Sequence, residues 1–111
     1  MLTMDLEYKD KILYVRLKGN LNKKTSYKIT NYLLPIILKH KIKYLVYNFE
    51  KLKEIDSSGI NAIINTKCLI KNNKGKIKIC NINNSLKDIL KKIKISIINN
   101  EDAAVSLVEA R

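Results

Sequence analysis

The sequence predicts a single α/β domain, residues 1–111, in which a mixed β-sheet of four to five strands packs with about four helices. Three observations lead to this prediction. The 111-residue chain has the length of one domain, apolar spacings typical of strands and of helices alternate along it, and 46% of its residues are hydrophobic, enough to cover both faces of such a sheet. Because strands separated by helices pair in parallel through right-handed crossovers, parallel strands should follow an initial hairpin.

The N-terminal residues predict that hairpin. Apolar and polar residues alternate over residues 2–8 and again over residues 13–18, and a period of two is typical of a half-buried strand. Residues 9–11 are polar and fit the turn between them. Gly19 is expected to end the second strand, and residues 20–24 to form a polar loop.

A helix and a central strand are predicted next. Thr25 or Ser26 is a suitable cap for a helix that reaches His40. Pro35 lies inside this pattern and should kink the helix or begin a new turn there. Residues 44–49 are almost continuously apolar, as in a strand that is covered on both faces.

Helices and short strands alternate in the second half of the chain. The spacing of Ile60, Ile63 and Ile64 predicts a helix that ends near Lys71. The remaining predicted elements are, in order, a strand at residues 77–82, a short helix capped by Asn83 or Asn84, an extended segment at residues 95–98, and a last helix capped by Asn100.

The net charge of +12 raises the question of a nucleic-acid partner, since phosphate binding favours basic proteins. The lysines are spread along the whole chain, and only Arg16 and Arg111 are arginines, the residue that specific base and phosphate contacts favour. The sequence has no Trp, and its single Phe is predicted to be in the core. A solvated lysine surface is therefore favoured, and no nucleic-acid partner is expected; a basic nucleic-acid-binding module stays as the competing hypothesis.

The sequence also predicts a cytoplasmic protein without a cofactor. No apolar run approaches the ~20 residues that cross a bilayer, and the acidic residues near the N-terminus are unlike a signal peptide. Cys68 and Cys80 lack metal-type spacing and are expected to be buried thiols. No metal site is predicted.

The turn Asp56-Ser57-Ser58-Gly59 is the candidate functional site, because it joins the central strand to the start of a helix. Serines at a helix N-terminus can serve as caps, phosphate acceptors or nucleophiles. A nucleophile needs an adjacent base, and the only histidine, His40, is predicted at the far end of another helix. No catalytic residue, and hence no enzyme, is predicted. The residues alone leave cap and phosphate acceptor open.

Several segments together resemble the STAS domain, and more specifically bacterial anti-sigma factor antagonists of the stage II sporulation protein AA type. These are the G-x-L-x-x-x-T segment that begins at Gly19, the Asn-Phe-Glu-Lys-Leu segment of residues 48–52, and the Asp56-Ser-Ser-Gly-Ile turn. The resemblance implies a partner-switching regulator. Its unphosphorylated form binds an anti-sigma factor that is a serine kinase, phosphorylation of Ser57 releases it, and a PP2C-type phosphatase reverses the modification.

The resemblance also implies a docking surface formed by the loop after the second strand and by the turn. The implied partner-binding residues are Asn20, Asn22, Thr25, Asp56, Ser57, Ser58 and Gly59. Asn20 and Asn22 stand where the family commonly has acidic residues, which leaves the identity of the kinase open. Two other STAS classes also stay open, namely a scaffold subunit of a signalling assembly and a subunit of a lipid-transport complex.

Overall fold

The chain forms one five-stranded mixed sheet whose strands lie side by side in chain order. The computed structural model describes the backbone of residues 1–109 and the side chains of residues 1–108. The strands are β1 (Leu2–Lys9), β2 (Ile12–Leu21), β3 (Tyr44–Ile55), β4 (Lys76–Cys80) and β5 (Ile97–Ile98). β1 and β2 pair antiparallel, and every other neighbouring pair is parallel. The predicted fold class is confirmed.

In residues 1–109, four helices connect or follow these strands, and three of them begin after a non-α turn. They are α1 (Leu34–His40) after a π-helical turn (Ile29–Leu33), α2 (Ser57–Asn72), α3 (Leu90–Ile93) after a 3-10 turn (Asn84–Ile89), and α4 (Val105–Glu109) after a 3-10 turn (Glu101–Ala104). The side chains of Asn83 and Asn100 cap the two 3-10 turns, as the sequence predicts. Within residues 1–109, no helix is long and apolar enough to cross a membrane.

Pro35 produces a π-helical turn instead of a simple kink. Proline has no N–H to donate, and its ring clashes with the carbonyl four residues earlier in an α-helix. The chain widens just before it, where the Leu34 N–H donates to the Ile29 carbonyl, five residues back. The predicted distortion is therefore present as a local insertion in a helix that otherwise stays continuous.

The β1–β2 hairpin is confirmed, but the prediction that Gly19 ends the second strand is wrong. Asp10 and Lys11 both have positive φ, the backbone of a tight two-residue hairpin turn. Gly19, at φ +106, lets β2 bulge and continue to Leu21, with its register to β3 shifting on either side. A Cβ at Gly19 would lie 2.1 Å from the Met1 carbonyl oxygen.

Both faces of β3 are buried, as its apolar sequence predicts. On one face Leu45, Tyr47 and Phe49 belong to the main core beneath α1, α2 and α3. On the other, Val46 packs with Tyr14, Cys80, Ala104 and Leu107 in a smaller core beneath the C-terminal helical segment. Of the two cysteines predicted to be buried, Cys80 is buried and Cys68 is exposed on α2.

One buried hydrogen-bond chain ties α2 to the sheet. The Thr66 hydroxyl donates to the Ala62 carbonyl at 2.9 Å, so it accepts from the Tyr47 hydroxyl, 2.7 Å away. The Tyr47 side chain is fully buried, and this bond satisfies its only polar atom. The Tyr47–Thr66 bond therefore fixes the position of α2 on β3, and with it the position of the first turn of α2.

Candidate functional site

The turn between β3 and α2 is held by the side chain of Asp56. Its backbone is extended (φ −107°, ψ −173°), and its Oδ1 accepts a hydrogen bond from the Gly59 N–H at 2.9 Å. Its carbonyl accepts from the Ile60 N–H at 2.9 Å, the first bond of the helix. Asp56 is therefore the N-cap of α2, and the hypothesis that a serine of this turn is the cap is wrong.

The same carboxylate reaches the loop after β2. Asp56 Oδ2 accepts from the Lys23 N–H at 2.9 Å, and the Asp56 N–H donates to the Leu21 carbonyl at 3.1 Å. The Gly59 N–H, with the Lys23 N–H, holds the pKa of the Asp56 carboxyl below its ordinary value. One ionised side chain thus joins two chain segments that are about thirty residues apart in sequence.

Gly59 lies where the two segments touch. A Cβ added there would lie 2.6 Å from the Leu21 carbonyl oxygen and 2.8 Å from carbon atoms of the Leu21 and Ile55 side chains. Its φ is not positive, so the requirement is space rather than backbone freedom. Glycine at this position lets the first turn of α2 sit directly against the end of β2.

Asn22 and Thr25 stabilise the loop from inside. The Asn22 Oδ1 accepts from the Lys24 N–H at 2.9 Å and the Thr25 N–H at 3.2 Å. The Thr25 hydroxyl donates to the Asn20 carbonyl at 2.7 Å and accepts from the Asn22 N–H at 2.9 Å. Thr25 is buried and makes no helix cap, so the prediction that it caps the first helix is wrong; Ser26 makes no cap bond to that helix either.

Asn20 carries an unusual buried acceptor. Its Oδ1 is buried without a hydrogen-bond partner among the described residues, while its N–H donates to the Met1 carbonyl at 3.0 Å. Asn20 also pairs with Glu54 across the β2–β3 ladder. Asn20 therefore lies at the end of the sheet beneath the loop, and its own carbonyl is the acceptor for the Thr25 hydroxyl.

The two serines of the turn differ in accessibility. Ser57, the first residue of α2, is exposed, whereas Ser58 is half-buried. The hydrogen bonds found in the described part of the chain use neither hydroxyl, since the capping bonds are made by Asp56. Of the implied docking residues, Asp56 and Ser57 are the exposed ones; Gly59 and Thr25 are buried and shape the surface from below.

A model of the STAS domain family matches residues 3–106 of this chain, nearly its whole length. The chain belongs to the STAS domain family.

Curated and solved relatives agree with this assignment. The anti-sigma F factor antagonist of Paenibacillus polymyxa is 29% identical over 82 residues, which cover 74% of this chain and 70% of that protein. The structure of the anti-sigma factor antagonist SpoIIAA in its unphosphorylated form matches with a TM-score of 0.80 at 19% identity, covering 98% of this chain and all of the other. The phosphorylated form of the Bacillus cell fate determinant SpoIIAA matches with a TM-score of 0.78 at 19% identity, covering 96% and 99%. These two structural matches show that the STAS fold is shared.

His40 lies far from the serines of this STAS domain. It is the last residue of α1 and lines a groove with Leu6, Tyr8 and Ile42. The central strand β3 starts beside this groove and ends next to the Asp56 turn. His40 and Ser57 therefore lie at opposite ends of β3, and the imidazole is not positioned to activate a serine hydroxyl.

Another concave surface of the STAS domain, about 560 Å³, surrounds Arg16 on the outer face of the sheet. Arg16 donates from Nε and Nη2 to both oxygens of Glu101, at 2.8 and 2.7 Å, and from Nη1 and Nη2 to Asp5 and Glu7. Asn48 donates to Glu101 at 2.8 Å. Three carboxylates therefore engage the guanidinium, which leaves it little capacity for an external anion and makes it an anchor for the C-terminal helical segment.

Sequence reasoning missed the backbone of Lys23 and the Arg16–Glu101 pair. A main-chain N–H carries no side-chain signature, so the bond from Lys23 to Asp56 has no signal in the sequence. Glu101 and Arg16 are 85 residues apart in sequence, and this separation hides the pairing. The opposite charge of the two residues is the only sequence feature that could have suggested it.

Replacement of Gly59 by alanine is predicted to destabilise the STAS domain, reversing the usual effect of this substitution within helices. Alanine normally favours a helix over glycine by ~1 kcal/mol, but here its Cβ meets backbone, and overpacking costs about 1–3 kcal/mol. Urea unfolding of Gly59→Ala, beside Asn61→Ala on the exposed side of α2 as control, measures the difference. A Gly59→Ala protein as stable as the wild type would contradict the close approach of Leu21.

The docking of α4 is predicted to weaken in acid. The Arg16 guanidinium, with the Asn48 amide, holds the pKa of the Glu101 carboxyl below its ordinary 4.5. A carboxyl with a lowered pKa in the folded state contributes its stabilisation above the unfolded value, and this is lost as pH falls through the folded one. Relative to α2, hydrogen exchange of α4 amides should therefore accelerate as pH falls below the ordinary glutamate pKa of 4.5.

Glu101→Gln should remove this pH dependence, and Asp102→Asn, an exposed neighbour, should leave it intact. If α4 amides keep the same protection relative to α2 across the acid range, the ion pair does not anchor the helix.

Proposed function

We propose that this protein is an anti-sigma factor antagonist that works by partner switching. In its unphosphorylated form it binds an anti-sigma factor that is also a serine kinase, and phosphorylation of Ser57 releases it. A PP2C-type phosphatase restores the binding form. In this role the protein is a cytoplasmic regulator and not an enzyme, and it needs no cofactor. Its membership of the STAS family and its similarity to the P. polymyxa anti-sigma F factor antagonist support the proposal.

The observation that carries the proposal is the exposed Ser57 hydroxyl at the start of α2. Asp56 makes the capping bonds, so Ser57 can be modified without loss of the cap. A kinase needs access to the hydroxyl, and the exposed side chain provides it. Phosphate at a helix N-terminus also meets the positive end of the peptide dipole, so the fold tolerates the new charge.

The surface around Ser57 has features of a protein-binding site. Lys23 and Lys24 are exposed on the loop that Asp56 holds. Two residues after Thr25, Tyr27 is 46% exposed and packs edge to face against Tyr32, which is 57% exposed. Exposed aromatic side chains are common centres of binding energy at protein interfaces. These residues lie on the loop and helix nearest to the switch.

The size of the charge change is sufficient for a switch. A phosphoserine adds about −1.5 to −2 charges, here beside the Asp56 carboxylate. If a partner covers Ser57, this charge must be desolvated and placed against the partner surface. A loss of ~3 kcal/mol of docking energy corresponds to more than a hundredfold in affinity. Desolvation of a buried, unpaired phosphate is expected to exceed that loss.

The loop also sets a condition on the partner. Asn20 and Asn22 are neutral, and the exposed charged residues of the loop itself are Lys23 and Lys24, while the exposed Glu54 lies beside Asn20 on β3. The face of the anti-sigma factor that meets this loop should accordingly be acidic or polar, because like charges directly opposite each other at an interface cost affinity. This requirement separates the partner of this protein from kinases that recognise an acidic loop.

Ser57→Ala is predicted to abolish phosphorylation by the anti-sigma factor kinase encoded in the same genome. Ser58→Ala is the matched control, because Ser58 is the adjacent, half-buried hydroxyl and should leave one phosphate per chain. Intact-mass measurement after incubation with kinase and ATP reads the outcome. A phosphorylated Ser57→Ala protein, or loss of phosphate only in Ser58→Ala, would overturn the site assignment.

Ser57→Asp is predicted to weaken binding to the same kinase by at least about tenfold, because one negative charge stands where the phosphate would be. Ser57→Asn has the same shape without the charge and should bind much more tightly than the aspartate variant. Calorimetric titration gives both affinities, and thermal unfolding checks that the fold is unchanged. Equal affinities for the two variants would mean that charge does not operate the switch.

A further inference from the structure

The lysines that look scattered in the sequence converge in the structure at the end of the domain opposite Ser57. β2, β3 and β4 begin side by side there, with Ile12 paired to Tyr44 and Tyr44 to Lys76. Helices α1 and α2 both end at this edge. The exposed lysines that surround it, here called the lysine pole, are Lys9, Lys11, Lys39, Lys41, Lys43, Lys71, Lys74 and Lys76.

Backbone contacts hold the segments of the lysine pole together. The Lys76 N–H donates to the Lys43 carbonyl at 2.7 Å, and the Asn73 amide donates to the Ile42 carbonyl at 2.9 Å. A Cβ at Gly75 would lie 1.8 Å from the Lys43 carbonyl oxygen. The turn after α2 therefore packs directly against the turn after α1, and the lysines of the two turns form one surface.

The lysine pole carries much of the charge of the protein. Asp10, on the hairpin turn, is the carboxylate within its three segments, and Glu7, Glu101 and Asp102 line a small concavity beside Lys9. The ion pairs in the described part of the chain all belong to Arg16, and the lysine side chains that donate hydrogen bonds there are Lys28 and Lys67, neither of them in the pole. Apart from Lys9, which lies near Glu101, the pole thus presents dense positive charge without ion-pair partners among the described residues.

Three lysines of the pole have a backbone conformation that disfavours them. Lys11, Lys41 and Lys74 have φ values of 70°, 51° and 62°, the left-handed region that glycine and asparagine adopt more readily. The chain contains many asparagines elsewhere, yet it has lysine at the tips of all three turns. Lys94, outside the pole, has the same left-handed backbone, so the conformation alone does not mark the pole; its consequence here is that a charged side chain stands at the tip of each of these three turns.

An apolar groove adjoins the lysine pole. It has a volume of about 540 Å³ and lies between the hairpin and the end of α1, where Leu6, Leu13 and Ile36 line it. Tyr8, at its rim beside Lys9, is 61% exposed, and Leu38, one residue from Lys39, is 60% exposed. Positive charge next to exposed aromatic and aliphatic side chains matches the interface of an anionic bilayer, which offers phosphates above an apolar layer.

We propose that the lysine pole binds the surface of a bilayer that contains anionic lipids. The pole has no arginine and no side chain fixed by a hydrogen bond, so it lacks the rigid donors of base-specific or structured protein recognition. Flexible lysines suit a fluid surface, on which charge density matters and exact position does not. The proposal does not depend on phosphorylation of Ser57.

Bilayer binding in this orientation leaves the Ser57 end free. The 12-residue strand β3 runs from the lysine pole to Ile55, next to the Asp56 turn, in a domain whose longest dimension is 36 Å. The distance from the lysine pole to the Asp56 turn, which is the length of β3, exceeds the ~8 Å over which salt screens charge at physiological ionic strength. The switch surface and the lysine pole can therefore be occupied at the same time.

Co-sedimentation with lipid vesicles tests the proposal on the full chain. The wild type should bind vesicles of phosphatidylcholine with about one third phosphatidylglycerol, and not vesicles of phosphatidylcholine alone. The pole variant Lys41→Gln/Lys43→Gln/Lys74→Gln/Lys76→Gln should bind at least about a hundredfold more weakly, since each lysine near the surface contributes about a fivefold factor. The control Lys18→Gln/Lys51→Gln/Lys53→Gln/Lys87→Gln removes the same charge from exposed lysines outside the pole and should keep most of the binding.

Three results would overturn the proposal. The first is no binding of the wild type to anionic vesicles at about physiological salt. The second is an equal loss in the two quadruple variants, which would show that net charge and not the lysine pole is responsible. The third is tighter, pole-dependent binding to a DNA duplex than to the vesicles, which would assign the surface to nucleic acid. Circular dichroism of both variants confirms that they are folded.

Discussion

The carboxylate of Asp56 joins the loop after β2 to the start of α2, the two segments of the proposed switch surface. Its two oxygens accept from the Gly59 and Lys23 N–H groups, so one side chain begins α2 and holds the loop after β2. The ionised form is the one that makes both bonds, which is why these N–H groups lower its pKa. Because Asp56 performs the capping, Ser57 is left exposed at the first position of the helix, with its hydroxyl available for chemistry.

The fold separates two kinds of surface at the two ends of one strand. At the end of β3, the Asp56 turn and the loop after β2 form a surface shaped by fixed hydrogen bonds. At its start, the lysine pole has charge without fixed side-chain partners. A surface held by fixed hydrogen bonds suits recognition of one protein partner. Flexible lysine side chains suit the surface of a fluid bilayer, on which the anionic groups have no fixed positions. The Arg16–Glu101 pair belongs to neither surface. Its charges satisfy each other, and the pair holds the C-terminal helical segment against the sheet.

Local patterns predicted most of the fold and the location of the site. The period-two alternation of the hairpin, the apolar run of β3 and the Asp56 turn depend on neighbouring residues, and each was found where the sequence placed it. Features that depend on distant contacts were missed. β2 continues past Gly19 through a bulge, where the missing Cβ leaves room for the Met1 carbonyl. The cap expected at Thr25 is absent because the Thr25 hydroxyl donates to the Asn20 carbonyl. The lysine pole was also hidden, since its members come from three separate segments, namely the hairpin turn and the chain around the ends of α1 and α2.

A comparison of amide NMR spectra before and after phosphorylation of Ser57 tests the central claim most directly, namely that the modification changes the surface and leaves the fold intact. The account predicts chemical-shift changes confined to residues 20–25 and 56–61, with the amide protons of Gly59 and Lys23 still protected from exchange, because their acceptor is Asp56. Loss of protection at Gly59 and Lys23, or shift changes that spread through β3 and the core, would show that the phosphate acts by disrupting the turn.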